Sequence, residues 1–178
     1  MEYTLVHSAR RSLAVQIKSD GRVIVRANYR TPLKSIENFL SAKSAWIKKH
    51  LAEIAAKPNL PKFTDEEIKE FIASAKTVIP SKTAYFANLI GVSYGKVTIR
   101  RARTLWGSCT AKGNLNFNCL LAVVPDSVAD YVIIHELCHR REMNHSQKFW
   151  AIVSQYCPEY KTRRKWLNTF GAEYLGRL

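Results

Sequence analysis

His135-Glu136-Leu137-Cys138-His139, followed by His145, gathers three imidazoles and a carboxylate within eleven residues. On a helix, His135 and His139 lie one turn apart, with Cβ atoms about 5–6 Å from each other. Two neutral imidazoles at that separation can share one Zn²⁺. Glu136 sits beside them, where its carboxylate reaches a water on the metal without ligating the metal. His145 follows six residues after His139, far enough for the chain to leave the helix and return a third imidazole. Three protein ligands and one open position is the pattern of a catalytic zinc rather than a structural one. A water in that position would have its pKa lowered to about 7 and would give its proton to Glu136.

The surrounding residues supply an element to carry this cluster. Val128, Tyr131 and Val132 precede His135 at helical spacing, which predicts an amphipathic helix. Asp126, after Pro125, is placed to cap its start. Asn144, just before His145, tolerates the left-handed conformation that turns a chain out of a helix. Cys138 falls off the ligand face and reads as core. The histidine spacing equals the metzincin pattern, but Glu142 stands at its central glycine and no later methionine follows Met143, so a metzincin is not expected.

Upstream, Tyr3–His7 and Ser12–Ile17 read as strands. Ser19-Asp20-Gly21 reads as a turn and Val23–Ala27 as the partner strand of a hairpin. Arg10, Arg11, Lys18, Arg22 and Arg26 would form its wet face or contact phosphate. Thr31-Pro32 opens a helical pattern through Ile36, Leu40, Trp46, Ile47, Leu51 and Ile54, with Trp46 in the core and His50 a surface or packing residue. Lys57-Pro58-Asn59-Leu60-Pro61 breaks that pattern as a linker, dividing residues 1–60, a β-hairpin and helix lobe, from residues 61–178. Thr64-Asp65-Glu66-Glu67 is a capping box. Its helix should end or kink at Pro80, with a further helical face at Tyr85, Phe86, Leu89 and Ile90 stopped by Gly91. Val97 and Ile99 alternate as a strand, Ala111–Asn114 is a turn, and Leu115, Phe117, Cys119 and Leu121 alternate as a second strand. A sheet beside the zinc helix offers an edge strand to an extended substrate. Ser146 caps a helix bearing Phe149, Trp150, Val153 and Tyr156. A last helix carries Trp166, Leu167 and Phe170, with Lys161, Arg163, Arg164 and Lys165 on its polar face and Gly171 as its stop. The class is therefore α+β.

Hydrophobic residues make up 47% of the 178, enough for a core. The N-terminus lacks the apolar stretch of a signal peptide, and no apolar run is long enough to span a bilayer. The four cysteines form no C-x-x-C pair and read as buried thiols of a cytoplasmic protein with no membrane partner. The net charge of +14 favours polyanions, nucleic acid among them, or phosphate-bearing substrates. A generally basic surface with solvated lysines is the plain alternative.

Thr104-Leu105-Trp106-Gly107-Ser108-Cys109, Gly113-Asn114-Leu115-Asn116-Phe117-Asn118-Cys119-Leu120-Leu121, Tyr131–His139 and Asn144–Trp150 together resemble the YgjP-like metal-dependent hydrolases. Ser12–Ala27 and Ser44–Leu51 are similar to that family's N-terminal part. The resemblance covers nearly the whole chain. It implies a zincin-like core related to the M48-type metallopeptidases: a small antiparallel sheet and the HExxH helix, with zinc on His135, His139 and His145. Leu105 stands where the family more often has arginine, so a substrate contact assigned to that arginine does not carry over. Members are labelled peptidases, and some nucleotide pyrophosphatases.

Three functions are therefore in play. The leading one is a zinc-dependent metallopeptidase in which Glu136 is the general base. Tyr131, Tyr156 and Tyr160 are candidates, by residue type, for stabilising the oxyanion. Hydrolysis of nucleoside triphosphates to release pyrophosphate fits the charge but finds neither a P-loop nor an acidic cluster for Mg²⁺. A nucleic-acid-binding module with a structural zinc has no use for Glu136. The oligomeric state is open.

Overall fold

The computed structural model describes residues 2–18, 20–56 and 60–178. Ser19 of the first turn and Lys57-Pro58-Asn59 of the linker lie outside the described residues. The chain divides into two compact units, Met1–Asn59 and Leu60–Leu178.

In the first unit, β1 (Thr4–His7), β2 (Ala14–Ile17) and β3 (Val23–Ala27) form a sheet in the order β1-β3-β2. β2 and β3 are the expected antiparallel hairpin, while β1 joins β3 in parallel. Val23, Val25 and Ala27 alternate inward against Ile36, Leu40 and Ile47. The long helical pattern is two helices, α1 (Leu33–Ala42) and α2 (Ser44–Ala55), interrupted at Lys43. Thr31 does not cap α1; Pro32 occupies the cap position and makes no side-chain bond. Trp46 is not core. It is 40% exposed and packs on His50, the two ring centroids 4.2 Å apart.

The second unit begins with α3 (Asp65–Ile90), whose Thr64–Glu67 capping box forms as expected and whose end at Gly91 takes φ 72°. Pro80 neither ends nor divides this helix. The carbonyl of Lys76 loses its usual partner there, but Lys76 and Pro80 are both exposed and water can serve it. Next come β4 (Val97–Arg100), β5 (Gly107–Cys109) and β6 (Leu115–Asn118), ordered β4-β6-β5. The sheet is mixed. β5 and β6 form the antiparallel hairpin, and β4 lies parallel to β6.

The second strand stops at Asn118, before the expected Cys119 and Leu121. Asn118 caps a 3₁₀ turn, Cys119–Ala122, by accepting from Leu120 N at 3.1 Å. Its Nδ2 also donates to the carbonyls of Ala102 and Leu105, at 2.6 and 2.8 Å. This side chain, 1% exposed, thus fastens the loop that leads into β5.

Three helices follow: α4 (Asp126–Cys138), α5 (Gln147–Tyr156) and α6 (Tyr160–Gly176). Leu115 and Phe117 face a core built with Ile79, Ile90, Ile133, Leu137, Phe149 and Val153. α4 is not the amphipathic helix expected. Val128, Ala129, Tyr131, Val132, Ile133, Ile134, Leu137 and Cys138 are all buried, which encloses the helix on nearly every side. Gly171 does not stop α6, which continues to Gly176. Gly171 is buried inside it, where a Cβ would come within 3.0 Å of Trp106 Nε1. Among the described residues no helix is long and apolar enough to cross a membrane.

Candidate metal centre

The buried α4 carries His135 and Glu136 in its last turns and ends at Cys138, leaving His139 as its C-cap. Asp126 does not cap the start. It makes no cap bond and instead meets Lys82 Nζ at 3.1 Å. Nor does Asn144 turn left-handed; among the described residues only glycines take positive φ. The chain leaves α4 through tight backbone bonds from Arg140 N to Leu137 O and from Arg141 N to Cys138 O, both 2.9 Å. Arg141 closes the helix end by donating to the Ile90 carbonyl of α3. A return at Asn144–Ser146 then starts α5, with Ser146 capping Phe149 N as expected.

This exit brings the three histidines together. One ring nitrogen from each of His135, His139 and His145 lies within 4.8 Å of the others. His135 Nε2 and His145 Nε2 face each other at 2.9 Å, and the three ring centroids are 4.8–5.0 Å apart. Two bare imidazole lone pairs repel at that distance unless a proton or a cation lies between them. Nitrogens arranged tetrahedrally on zinc, at about 2.05 Å each, would stand about 3.3 Å apart, so the spacing is close to what one ion requires.

The rings are held in orientation. His139 Nδ1 lies 3.1 Å from the Glu142 carbonyl, which assigns it the proton and leaves Nε2 free to ligate. Phe149 stacks on His139 with centroids 4.5 Å apart, and Trp150 stacks on His145 at 5.7 Å. Burial, with His139 and His145 as neighbours, pushes the His135 pKa down to about 3, and burial also lowers that of His139. Both rings are therefore neutral near physiological pH, the form that binds a metal. His135 Nδ1 is buried with no hydrogen-bond partner among the described residues.

Glu136 points to β5. It is 6% exposed, and burial pushes its pKa up to about 8, opposed in part by the Cys109 backbone. A Cβ on Gly107 would meet Glu136 Cγ and Oε1 at 2.8 Å, so only glycine admits the carboxylate here. A cleft of about 140 Å³ opens over Trp106, Gly107, Tyr131, His135, Glu136 and Leu167. β5 is an edge strand. Trp106 O accepts from Asn118 N of β6 and Thr110 N donates to Asn114 O just before β6, which turns the amide groups of Gly107 and Cys109 towards the free edge.

Of the three tyrosines, Tyr131 alone lines this cleft. It is 4% exposed and edge-on to His135, and burial raises its pKa to about 12. Tyr156 hydrogen-bonds Arg141 at 3.4 Å, and Tyr160 stacks on Trp150 at 5.3 Å. From the sequence alone, Arg164 belongs only to a polar helix face. Its guanidinium lies 4.7 Å over the Trp150 ring, one turn of α6 before Leu167. The signal was its i, i+3 spacing from Leu167, but nothing in the sequence joins α6 to the histidines.

The YgjP-like, metallopeptidase domain family matches residues 11–72 and 65–170. The crystal structure of the metallopeptidase zymogen abylysin of Pyrococcus abyssi is similar over 52% of this chain and 93% of its own, with a TM-score of 0.48 and 22% identity. No curated protein gives a significant match. With both matched segments together spanning most of its length, the chain belongs to the YgjP-like family of metallopeptidase domains.

Proposed function

We propose that the chain is a zinc-dependent peptidase in which His135, His139 and His145 hold Zn²⁺ and Glu136 is the general base. The observation that carries this reading is the convergence of three imidazole nitrogens within 4.8 Å, with a buried carboxylate on the residue after His135. All-nitrogen donation by three histidines, with a fourth side left to the cleft, suits a catalytic zinc. When bound there, zinc would supply Lewis acidity toward a carbonyl oxygen and toward water.

The remaining work falls to side chains of this chain. Burial holds Glu136 at a pKa of about 8 in the metal-free site; a dication held beside it would favour the carboxylate, which can take a proton from the attacking water and pass it to the departing amine nitrogen. Phe149 stacks on His139 and Trp150 on His145, which holds these imidazoles in orientation. The free edge of β5 offers the amide groups of Gly107 to an extended peptide backbone. The four free cysteines fit a reducing compartment, and we place the protein in the cytoplasm on that ground.

Zinc-loaded wild type and Glu136→Gln, offered peptides and nucleoside triphosphates in parallel, test the reading. Glu136→Gln should retain zinc and lose about 10²–10⁴-fold in peptide turnover. Turnover of nucleoside triphosphates without any peptide cleavage would replace the peptidase with the phosphohydrolase reading. Peptide turnover unchanged in Glu136→Gln would remove the base from the mechanism.

A further inference from the structure

The sheet β4-β6-β5 has two unlike faces. Leu115 and Phe117 of β6 point into the core, and Asn116 points the other way, together with Arg100 of β4 and Ser108 of β5. On this second face lies a recess of about 260 Å³, lined by Arg100, Leu105, Gly107, Ser108, Asn116 and Asn118. It is larger than the cleft over the histidines and contains no member of the metal centre.

Arg100 is aimed by neutral partners. Its Nε donates to Asn116 Oδ1 at 2.8 Å, and Asn116 Nδ2 donates to Ser108 Oγ at 3.1 Å. An amide acceptor orients the guanidinium without neutralising it. Among the described residues no carboxylate pairs with Arg100. Binding through Nε leaves the two terminal nitrogens free, and these can grip a carboxylate with parallel hydrogen bonds.

Gly107 joins this recess to the metal centre, because it lines both and touches Glu136. A peptide laid along the free edge of β5 sends successive side chains to opposite faces of the sheet. When the bond to be cut lies beside Glu136, a neighbouring residue delivers its side chain to the Arg100 side. Leu105, 57% exposed at the rim, gives the methylene stem of that side chain an apolar contact.

We propose that this recess is a side-chain subsite for an acidic residue of the substrate, with Arg100 as the carboxylate-binding group. The proposal rests on the peptidase reading. It makes the preferred substrate a peptide with Glu or Asp close to the cleaved bond.

The test uses zinc-loaded protein and peptide pairs that differ only in Glu or Gln at one position near the cleaved bond. Wild type should favour the Glu peptide about tenfold in kcat/KM at one position. The ratio should fall to near one in Arg100→Gln and be intermediate in Arg100→Lys, which keeps the charge but not the fork. A ratio measured within one sample does not depend on the fraction of folded protein. Equal ratios in wild type and Arg100→Gln would overturn the subsite and leave the peptidase reading standing. Calorimetric binding of the same pairs to Glu136→Gln protein reads the preference without turnover. Tighter binding of Glu peptides there, lost in Glu136→Gln/Arg100→Gln, would sustain the subsite even if wild type cleaved no peptide, an outcome that sinks only the peptidase reading.

Discussion

Gly107 and Glu136 touch so closely that a single Cβ on the strand would stand 2.8 Å from both Cγ and Oε1 of the carboxylate. The backbone of β5 therefore sets the position of the group read as the base. Gly107→Ala should cost about 1–3 kcal/mol in urea unfolding, as overpacking of a filled site does. It should also push Glu136 out of line and lower peptide turnover, while zinc content stays at wild type because the three atoms nearest the new methyl group all belong to Glu136. Wild-type turnover in a stably folded Gly107→Ala protein would show that the strand does not position the carboxylate.

Much of this site was legible from local spacing. His135 and His139 are one helical turn apart, Ser146 precedes its helix as a cap, and Gly91 ends α3 in the left-handed region. The return of His145 could be read as a distance along the chain. What failed were features decided by partners remote in sequence. Pro80 stays within its helix because the freed carbonyl faces water. Gly171 looked like a stop, yet its missing side chain makes room for Trp106, sixty-five residues earlier. Asn118 looked like one more residue in a strand, but it ends the strand by capping the 3₁₀ turn and tying down Ala102 and Leu105. Arg164 could not be placed near Trp150 without knowing how α5 and α6 pack.

The buried carboxylate makes a pH signature in metal-free protein. Glu136 has its pKa raised from 4.5 to about 8, so folding favours the neutral acid. Its contribution is fully present below about 4.5 and is lost as pH rises through about 8. His135, lowered from 6.5 to about 3, runs the other way: its contribution is present above 6.5 and is lost as pH falls through about 3. The two oppose each other between 4.5 and 6.5, so the whole-protein profile conceals both. Subtraction isolates one of them. The stability of Glu136→Gln minus that of wild type should grow as pH rises from 4.5 to 8, by on the order of a few kcal/mol, and then level off. Denaturant titrations of both proteins after chelation measure it. A difference that stays flat across that window would mean Glu136 is as well solvated folded as unfolded.

Lys82 tests how α3 is fastened to the metal-bearing helix. Its Nζ lies 2.8 Å from Asp130 and 3.1 Å from Asp126, bridging the middle of α3 to the first turns of α4. Partial burial by itself would lower the lysine pKa, but the hydrogen bonds with Asp130 and Asp126 outweigh it, and the net shift is upward. The bridge therefore stabilises fully below the ordinary lysine value of 10.5 and is lost as pH rises through the higher folded value. Asp126 is 87% exposed and its share is screened by solvent, whereas Asp130 is 30% exposed. Lys82→Met should lower stability by about 1 kcal/mol near neutral pH, with Asp130→Asn closer to that loss than Asp126→Asn. In strongly alkaline buffer wild type and Lys82→Met should converge, because the ammonium has been discharged in both folded and unfolded chains. A gap that persisted there would assign the effect of Lys82 to the packing of its methylene stem instead of its charge.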